Sequence, residues 1–318
     1  MIKYIAKRLL HAIPMLFVIA AITFALIQIA PFDAVDTFTT PQMSTETRDA
    51  LKVRYGLDKP PYIQFINWLG NIARGDLGYS IVNHQSVAEA LAARLPNTIL
   101  LVLPSYALAI LLSIIIGIKA GSNAGGPFDR AADALCSVGM ATPTFWVAMI
   151  LLYIFAYMLS LLPVLGMHTL GRESSLPDLI RHMILPCTVL TLAFLPETVR
   201  YVRASAITQY KEDYVMVQRA YGATEGNILF RHVAKNVLLP VITLAGMSLP
   251  TLITGAFITE SIFSWPGVGT YFLNAIRAFD YPVVMTVLLF SSIAVIAGNL
   301  LADVGYCLLD PRIKSGVM

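Results

Sequence analysis

The sequence predicts an all-α, polytopic membrane protein with about six transmembrane helices. Three observations support this prediction: an apolar composition, apolar stretches of membrane-spanning length, and basic residues concentrated between alternate stretches. Hydrophobic residues make up 57% of the 318 residues and charged residues only 13%, whereas soluble proteins contain about 25% charged residues. A soluble chain of this length needs a charged surface that this composition does not supply. The bilayer is therefore the expected solvent.

Six apolar stretches have the length that a transmembrane helix requires. A helix crosses the hydrocarbon core with about 20 apolar residues, because its backbone groups find no water there. The predicted spans are residues 9–30, 98–118, 139–162, 183–201, 237–259 and 283–309. The fourth is predicted to be interrupted, because Pro186 and Pro196 lie inside it. Near its end, Glu197 is expected to pair with Arg200 one turn later.

The N-terminus has the basic start of a targeting signal but predicts a retained anchor. Lys3, Lys7 and Arg8 precede the apolar run at 9–30, which is longer than the roughly 7 to 15 residues of a signal-peptide core. We therefore expect residues 1–30 to form an N-terminal anchor and the first transmembrane helix.

The basic residues predict that both termini are cytoplasmic. With the N-terminus inside, 13 of the 22 lysines and arginines lie in inner segments. Of the remaining nine, six lie in one long outer loop, 31–96, and loops longer than about 60 residues largely escape the positive-inside rule. The inner ones are Lys3, Lys7, Arg8, Lys119, Arg130, Arg200, Arg203, Lys211, Arg219, Arg231, Lys235, Arg312 and Lys314.

The outer loop 31–96 is expected to be a small folded extracytoplasmic subdomain. Ser44 is a candidate cap for a helix ending near Gly56, and Ser86 with Glu89 three residues later has the form of a capping box. Apolar residues recur between them at helical spacing: Tyr62, Phe65, Ile66, Leu69 and Ile72. Two roles stay open, a lid packed on the membrane helices and a docking surface for another protein.

Motifs for catalysis and cofactor binding are missing from the sequence. It contains no G-x-x-x-x-G-K-[ST] phosphate loop, no G-x-S-x-G elbow and no H-E-x-x-H helix. The five histidines are scattered singly and the three cysteines lack C-x-x-C spacing. A net charge of +3 gives no electrostatic footprint for nucleic acid. No catalytic, cofactor-binding or metal-ligating residue is therefore assigned.

Two polar residues of the last predicted span are candidates for a pathway. Asn299 and Asp303 lie one turn apart, and ionisable residues inside a membrane are functional candidates because their burial is costly. Two interpretations stay open, a face that lines the pathway and an interhelical hydrogen bond.

The inner loop 203–236 carries the most specific pattern. It is a mixed-charge helical stretch broken at Gly222 and followed by a second amphipathic run. This pattern resembles the permease loop of binding-protein-dependent ABC importers, in the form used by the dipeptide, oligopeptide and nickel family. The matching positions are Arg200, Arg203, Ser205, Glu212, Asp213, Tyr214, Arg219, Ala220, Gly222, Arg231, His232, Asn236 and Pro240. Met216, Val217 and Gln218 replace the glutamate and alanines of the general E-A-A-x-x-x-G signature.

The resemblance extends over essentially the whole chain. The family's G-L-D-x-P and G-D-L-G-x-S pieces match residues 56–60 and 75–80, and its E-x-x-F-x-W-P-G-x-G piece matches residues 260–269. Asp280, Tyr281 and Pro282 follow, and Leu309, Asp310, Pro311 and Arg312 close the match.

The resemblance implies a type I ABC importer permease fold, with a core at 97–318. It also implies a bacterial cytoplasmic membrane location in contact with lipid, import of peptides or nickel and metal chelates by alternating access, and no catalysis by this chain. The implied partners are a second paralogous permease, an extracytoplasmic substrate-binding protein and two ATPase subunits that hold ATP and Mg.

Two sets of site residues are carried over from the family. The implied coupling helix, which inserts into an ATPase, is Gln218, Arg219, Ala220, Tyr221, Gly222, Ala223, Thr224 and Glu225. The candidates for a binding-protein contact or outer gate are Glu260, Phe263, Trp265, Pro266 and Gly267. An interfacial anchor is an equally open interpretation of the turn at 265–267.

Two rival classes of membrane protein fit the sequence less well than the importer. A stand-alone secondary transporter is also apolar and polytopic, but such carriers often contain internal repeats, and no clear repeat is visible. An intramembrane enzyme needs a nucleophile and base constellation, which the sequence lacks.

Overall fold

The structure, a computed structural model, describes residues 2–29, 58–234 and 256–309, with single positions at 44, 46, 47, 50, 52, 53, 236, 237 and 241. The side chains of residues 2–7, 9, 230 and 301–309 lie outside this description. In the described part the regular structure is helical, apart from an isolated bridge between Tyr79 and Ser86. The predicted all-α class is confirmed.

Eleven α-helices are described, and they are numbered in chain order. They are α1 (Ile2–Ile29), α2 (Pro61–Ala73), α3 (Val87–Ser122), α4 (Pro127–Ala141), α5 (Thr144–Leu151), α6 (Leu176–Tyr210), α7 (Asp213–Ala220), α8 (Glu225–Asn227), α9 (Phe257–Ile262), α10 (Val268–Arg277) and α11 (Tyr281–Leu309). π-Helical segments continue α5 over Leu152–Met158 and α8 over Ile228–Val233.

Several helices have the dimensions of membrane spans. Within the described residues, four are long and apolar enough to cross a bilayer, namely α1, α3, α6 and α11. The bent pair of α4 with α5 and its π-helical extension is a candidate for a fifth. The predicted span 237–259 lies almost wholly outside the described residues and stays a prediction.

The predicted third span, 139–162, is wrong as a single straight helix. The helix α4 ends at Ala141, α5 begins at Thr144, and the two are bent by 97°. The cause lies in Pro143, which lacks an amide hydrogen and disfavours helical geometry in the preceding residue. Thr142 accordingly has an extended backbone, with φ of −91° and ψ of 122°.

The predicted interruption of the fourth span is also wrong, because α6 runs unbroken through both prolines. Pro186 and Pro196 are buried within it. Proline is tolerated in a membrane helix when neighbouring helices and side chains compensate for the missing bond. Here the ring of Pro196 lies against Gly139 of α4, where an added Cβ would come within 2.8 Å of it.

The chain divides into two compact units, and the first comprises Met1–Asn97 and Pro266–Ile296. Within it, α1 packs against α2 through Phe65, whose ring centroid lies 5.7 Å from that of Phe17 and 5.3 Å from that of Phe24. The helix α2 confirms the helical spacing of residues 62–72.

Both predicted caps of the outer loop form the expected backbone contact. Thr47 N donates to Ser44 Oγ at 3.2 Å, and Glu89 N donates to Ser86 Oγ at 3.5 Å at the start of α3. The predicted helix end near Gly56 lies outside the described residues.

Two family motifs of the first unit meet in one junction around Asp280. This buried carboxylate accepts hydrogen bonds from Ser80 Oγ and from Ile81 N, the latter at 3.1 Å. One turn into α11, Thr286 Oγ1 donates to Leu77 O at 3.3 Å. The G-D-L-G-x-S segment and the start of α11 are thus held together by satisfied buried polar groups.

The second unit comprises Thr98–Trp265 and Ala297–Met318, and a close contact of α3 with α6 runs through it. A Cβ added at Gly117 would lie 2.7 Å from Val202 Cβ, and one added at Gly121 would lie 2.6 Å from Ala206 Cβ. Small residues four apart let two helix backbones approach closely in a membrane. This pair therefore depends on glycine at both positions.

Candidate functional site

The inner loop that carries the family pattern contains a helix followed by a tight turn. After α7, Gly222 N donates to Arg219 O at 2.9 Å and Ala223 N donates to Gln218 O at 3.0 Å. Gly222 has a φ of +79°, a left-handed conformation that glycine adopts without strain. The predicted helix break at Gly222 is present in the structure.

The predicted coupling helix at residues 218–225 is not a single helix. Its first three residues end α7 at Ala220, the next four form the turn, and Glu225 begins α8. The chain reverses here because Gly222 terminates the first helix and Thr224 caps the second, its Oγ1 accepting a hydrogen bond from Asn227 N at 3.4 Å. The coupling role of these eight residues stays a prediction.

An ion pair closes the turn on its exposed side. Arg219 Nε lies 2.8 Å from Glu225 Oε1, and Arg219 Nη2 lies 3.2 Å from Glu225 Oε2. The guanidinium lowers the pKa of the Glu225 carboxyl below its usual value because it donates to the charged form. Exposed pairs contribute about 1 kcal/mol or less, so the pair favours this shape of the turn, which the backbone hydrogen bonds at Gly222 and Ala223 already hold.

Apolar side chains project from the same turn. Tyr221 is 84% exposed and Met216 is 67% exposed, with Val217 also exposed beside them. Aromatic residues, methionine and arginine are enriched where proteins contact one another. An exposed apolar patch framed by Arg219 and Glu225 is therefore a candidate contact surface.

The opposite face of the segment is buried against two membrane helices. Val215 of α7 and Ile228 and Val233 after the turn pack in one cluster with α3 and α6. The residues contributed by those helices are Ile118, Val202 and Ala206. The segment is therefore packed directly on α3 and α6. We call residues 213–233 the coupling segment.

The outer candidate residues within the second unit are mostly buried. Glu260 is 0% exposed and accepts a hydrogen bond from Thr98 Oγ1 at 2.7 Å. Trp265 is also fully buried, and its N donates to Glu260 O at 2.8 Å. Phe263 is buried as well, and its carbonyl accepts a hydrogen bond from Gly166 N at 2.8 Å. These residues form the packed interior of a turn.

The other candidate residues have diverse surroundings. Pro266 is exposed, and its carbonyl accepts a hydrogen bond from Asn97 Nδ2 at 2.9 Å, whereas Gly267 is buried. Asn299 is exposed on α11. The side chain of Asp303 lies outside the described residues, so its proposed pathway role stays a prediction.

One sequence-based pairing is wrong, and one pairing was missed. Arg200 does not pair with Glu197; its Nη2 lies 3.3 Å from Asp133 Oδ1 and donates to Ser137 Oγ at 2.6 Å. Arg203 pairs with Asp129, 74 positions earlier in the chain. The sequence shows only an acidic residue at the start of α4. Burial of that residue requires a cationic partner, and the sequence does not identify which residue it is.

The helices of membrane-spanning dimensions define the class: a polytopic membrane protein. Residues 109–315 match the family described as binding-protein-dependent transport system inner membrane component, and residues 1–102 match its N-terminal component. The chain belongs to this family, whose members are non-catalytic permease subunits.

Two relatives are similar to the chain over its full length. The oligopeptide transport system permease protein AppB of Bacillus subtilis is 38% identical, over 99% of this chain and 100% of that protein. The di/tripeptide transport system permease protein DppB of Pseudomonas aeruginosa is 34% identical, over 99% of each chain.

Proposed function

We propose that this chain forms one half of the translocation channel of an ATP-driven, binding-protein-dependent peptide importer. A second, paralogous permease supplies the other half, and two ATPase subunits bind and hydrolyse ATP. An extracytoplasmic binding protein delivers the substrate, and the channel works by alternating access. The named relatives are oligopeptide and di/tripeptide permeases, which favours peptides over nickel or metal chelates.

The observation that carries the proposal is the two-sided character of the coupling segment. The sequence contains no phosphate loop, so the force for transport must enter through a contact surface. Met216, Val217 and Tyr221 provide that surface, and the bidentate contact of Arg219 with Glu225 favours one shape of the turn beside it. The buried face beneath them is continuous with α3 and α6.

The close contact of α3 with α6 extends this route toward the outer end of the second unit. Ile118 belongs to the cluster beneath the coupling segment, whereas Thr98, on the same unbroken helix α3, bonds Glu260. With a rise of about 1.5 Å per residue, the helix joins the two sites as one rigid element. A movement of the ATPase would thus reach the turn at 260–265.

Removal of the most exposed side chain of the patch tests the proposal. Tyr221→Ala should reduce the recovery of ATPase subunits with the tagged permease, because aromatic anchors contribute most to interface affinity. The matched control is Tyr79→Ala, since Tyr79 is an exposed tyrosine of the predicted outer loop. The proposal expects Tyr79→Ala to retain the ATPase subunits at the wild-type level.

The same preparations distinguish the importer from a carrier. ATP-dependent uptake of a labelled dipeptide by the complete complex in liposomes, with none by this chain alone, supports the importer. Equal ATPase recovery with both tyrosine variants, or uptake by the isolated chain, would contradict the proposal. Competition by nickel chelates rather than peptides would overturn the substrate class alone.

A further inference from the structure

The second unit contains an apolar groove of about 450 Å³, bounded by α3, α4, α5 and α6. Its walls include Ala131 and Leu135 of α4, Val147 of α5 and Leu192 of α6. The size is typical of a ligand site. Two of the walls, α3 and α6, have membrane-spanning dimensions, and α4 with α5 is the bent candidate for a fifth span, so the groove lies among the helices that meet hydrocarbon.

The chemistry of the lining excludes a polar occupant. The hydroxyl of Thr142, one of the few polar groups of the lining, already donates to Val138 O at 2.7 Å. A peptide placed here would lose its hydrogen bonds to water without replacement, which is costly for each amide. The occupant that this lining favours is therefore an aliphatic chain, and the groove is unsuited to a peptide cargo.

The groove is open along one side. Leu135 is 73% exposed, and Leu192 and Phe128 are also exposed. An exposed apolar groove on membrane-spanning helices is accessible to lipid acyl chains, which enter sideways from the bilayer.

A positive charge lies at one end of the groove. Lys119 Nζ is positioned 4.7 Å from the centroid of the Phe128 ring, which forms part of the lining. Phe128 is in the first turn of α4, where the helix dipole also favours an anion. The nearby Asp129 carboxylate does not compensate this charge, because Arg203 and Gly125 N already bind it.

We propose that this groove binds one acyl chain of an anionic phospholipid, whose headgroup lies at Lys119 and the N-terminal turn of α4. The charge distribution predicts that Lys119 faces the cytoplasm, and basic pockets between membrane helices on that side bind acidic lipid headgroups. The bound chain fills the space beside the 97° bend between α4 and α5. It thereby stabilises the bent pair of α4 and α5, beside which the protein leaves the groove unfilled.

The test measures phosphatidylglycerol retained by the purified complete transporter after detergent washing, by mass spectrometry of extracted lipid. Ala131→Trp fills the groove, and Ala134→Trp makes the same change on an exposed face of α4 outside the lining. We expect the amount of retained phosphatidylglycerol to fall about tenfold with Ala131→Trp. The loss of the contacts of about two buried methylene groups of the acyl chain is enough for this change. Ala134→Trp should retain the wild-type amount.

Two further arms identify the occupant. Lys119→Gln should abolish the preference for phosphatidylglycerol over phosphatidylcholine when both are supplied, and a photoreactive residue at position 131 should form an adduct with the mass of a phospholipid. Equal retention by wild type and Ala131→Trp would overturn the proposal, as would a photoadduct with the second permease. A wild-type complex without preference for phosphatidylglycerol would overturn the role of Lys119 and with it the proposed ligand.

Discussion

Arg203 of α6 binds Asp129 of α4 through both Nε and Nη2, with the second contact at 2.7 Å. Asp129 is 2% exposed, and its carboxylate also accepts a hydrogen bond from Gly125 N at 2.7 Å. The bidentate geometry is the one that arginine provides and lysine does not. The contact fixes the first turn of α4 against α6 beside the coupling segment.

Loss of this arginine is expected to destabilise the protein strongly. Arg203→Ala leaves the Asp129 carboxylate buried without its cation, a change that costs about 3 kcal/mol in comparable pairs. Thermal unfolding of the purified protein in detergent measures the effect. Arg203→Lys should lose less, because it keeps the charge but not the fork.

The matched control is Arg200→Ala, one turn earlier on α6. Arg200 and its partner Asp133 are both substantially exposed, and exposed pairs contribute about 1 kcal/mol or less. Equal destabilisation by Arg200→Ala and Arg203→Ala would contradict the importance of the buried pair.

The turn at Gly222 is expected to be sensitive to substitution because of its backbone. A Cβ at this position meets nothing within 4 Å, but φ is +79°, and a non-glycine residue in this conformation costs about 1 to 2 kcal/mol. Gly222→Trp should therefore distort the turn and uncouple ATP hydrolysis from uptake without preventing membrane insertion. Gly222→Asn should keep most of the coupling, since asparagine tolerates left-handed geometry.

Gly226 provides the comparison within the same segment. It is exposed with nothing within 4 Å of an added Cβ, and its φ lies outside the left-handed region. Gly226→Trp should retain more of the coupling, measured as substrate-stimulated ATPase activity and uptake. Normal coupling in an assembled Gly222→Trp complex would refute the importance of the turn.

The contact of α3 with α6 is expected to be intolerant of a single methyl group. At Gly117 an added Cβ would lie 2.7 Å from Val202 Cγ1 and 3.0 Å from Arg203 N, so one helix must shift. Gly117→Ala should lower stability by about 1 to 3 kcal/mol, the usual range for overpacking. Unfolding measurements and substrate-stimulated ATPase activity together report the effect.

Gly70 of α2 is the matched control for this change. It lies in a helix, and an added Cβ meets nothing within 4 Å, so Gly70→Ala should be neutral or stabilising by up to about 1 kcal/mol. A Gly117→Ala protein as stable as Gly70→Ala would show that the helices have room to separate.

Four of the six predicted spans and the break at Gly222 could be predicted because their causes are local. Hydropathy over about 20 residues determines which segments enter the bilayer, and a glycine after an amphipathic stretch is a standard helix end. Proline is the exception to these local rules. Pro143 breaks a helix that the hydropathy pattern extends, whereas Pro186 and Pro196 leave α6 unbroken. The difference depends on neighbours such as Gly139, which sequence spacing does not reveal.

The buried polar contacts could not be predicted for a related reason. Asp129 meets Arg203 across 74 positions and Asp280 meets Ser80 across 200 positions. Tertiary packing determines such partners. Arg200 therefore pairs with Asp133 of α4, although Glu197 lies one turn away on the same helix as Arg200. The burial of Glu260 and Trp265 likewise follows from packing around a turn that the sequence shows only as a motif.

The most direct test of the central claim is photocrosslinking from position 221 in the complete transporter. A photoreactive amino acid replacing Tyr221 should form an adduct with an ATPase subunit, and the yield should change when ATP is added. A membrane-impermeant reagent applied from outside should not label a cysteine at the same position. An adduct with any other component, no adduct with the ATPase, or labelling from outside would contradict the account.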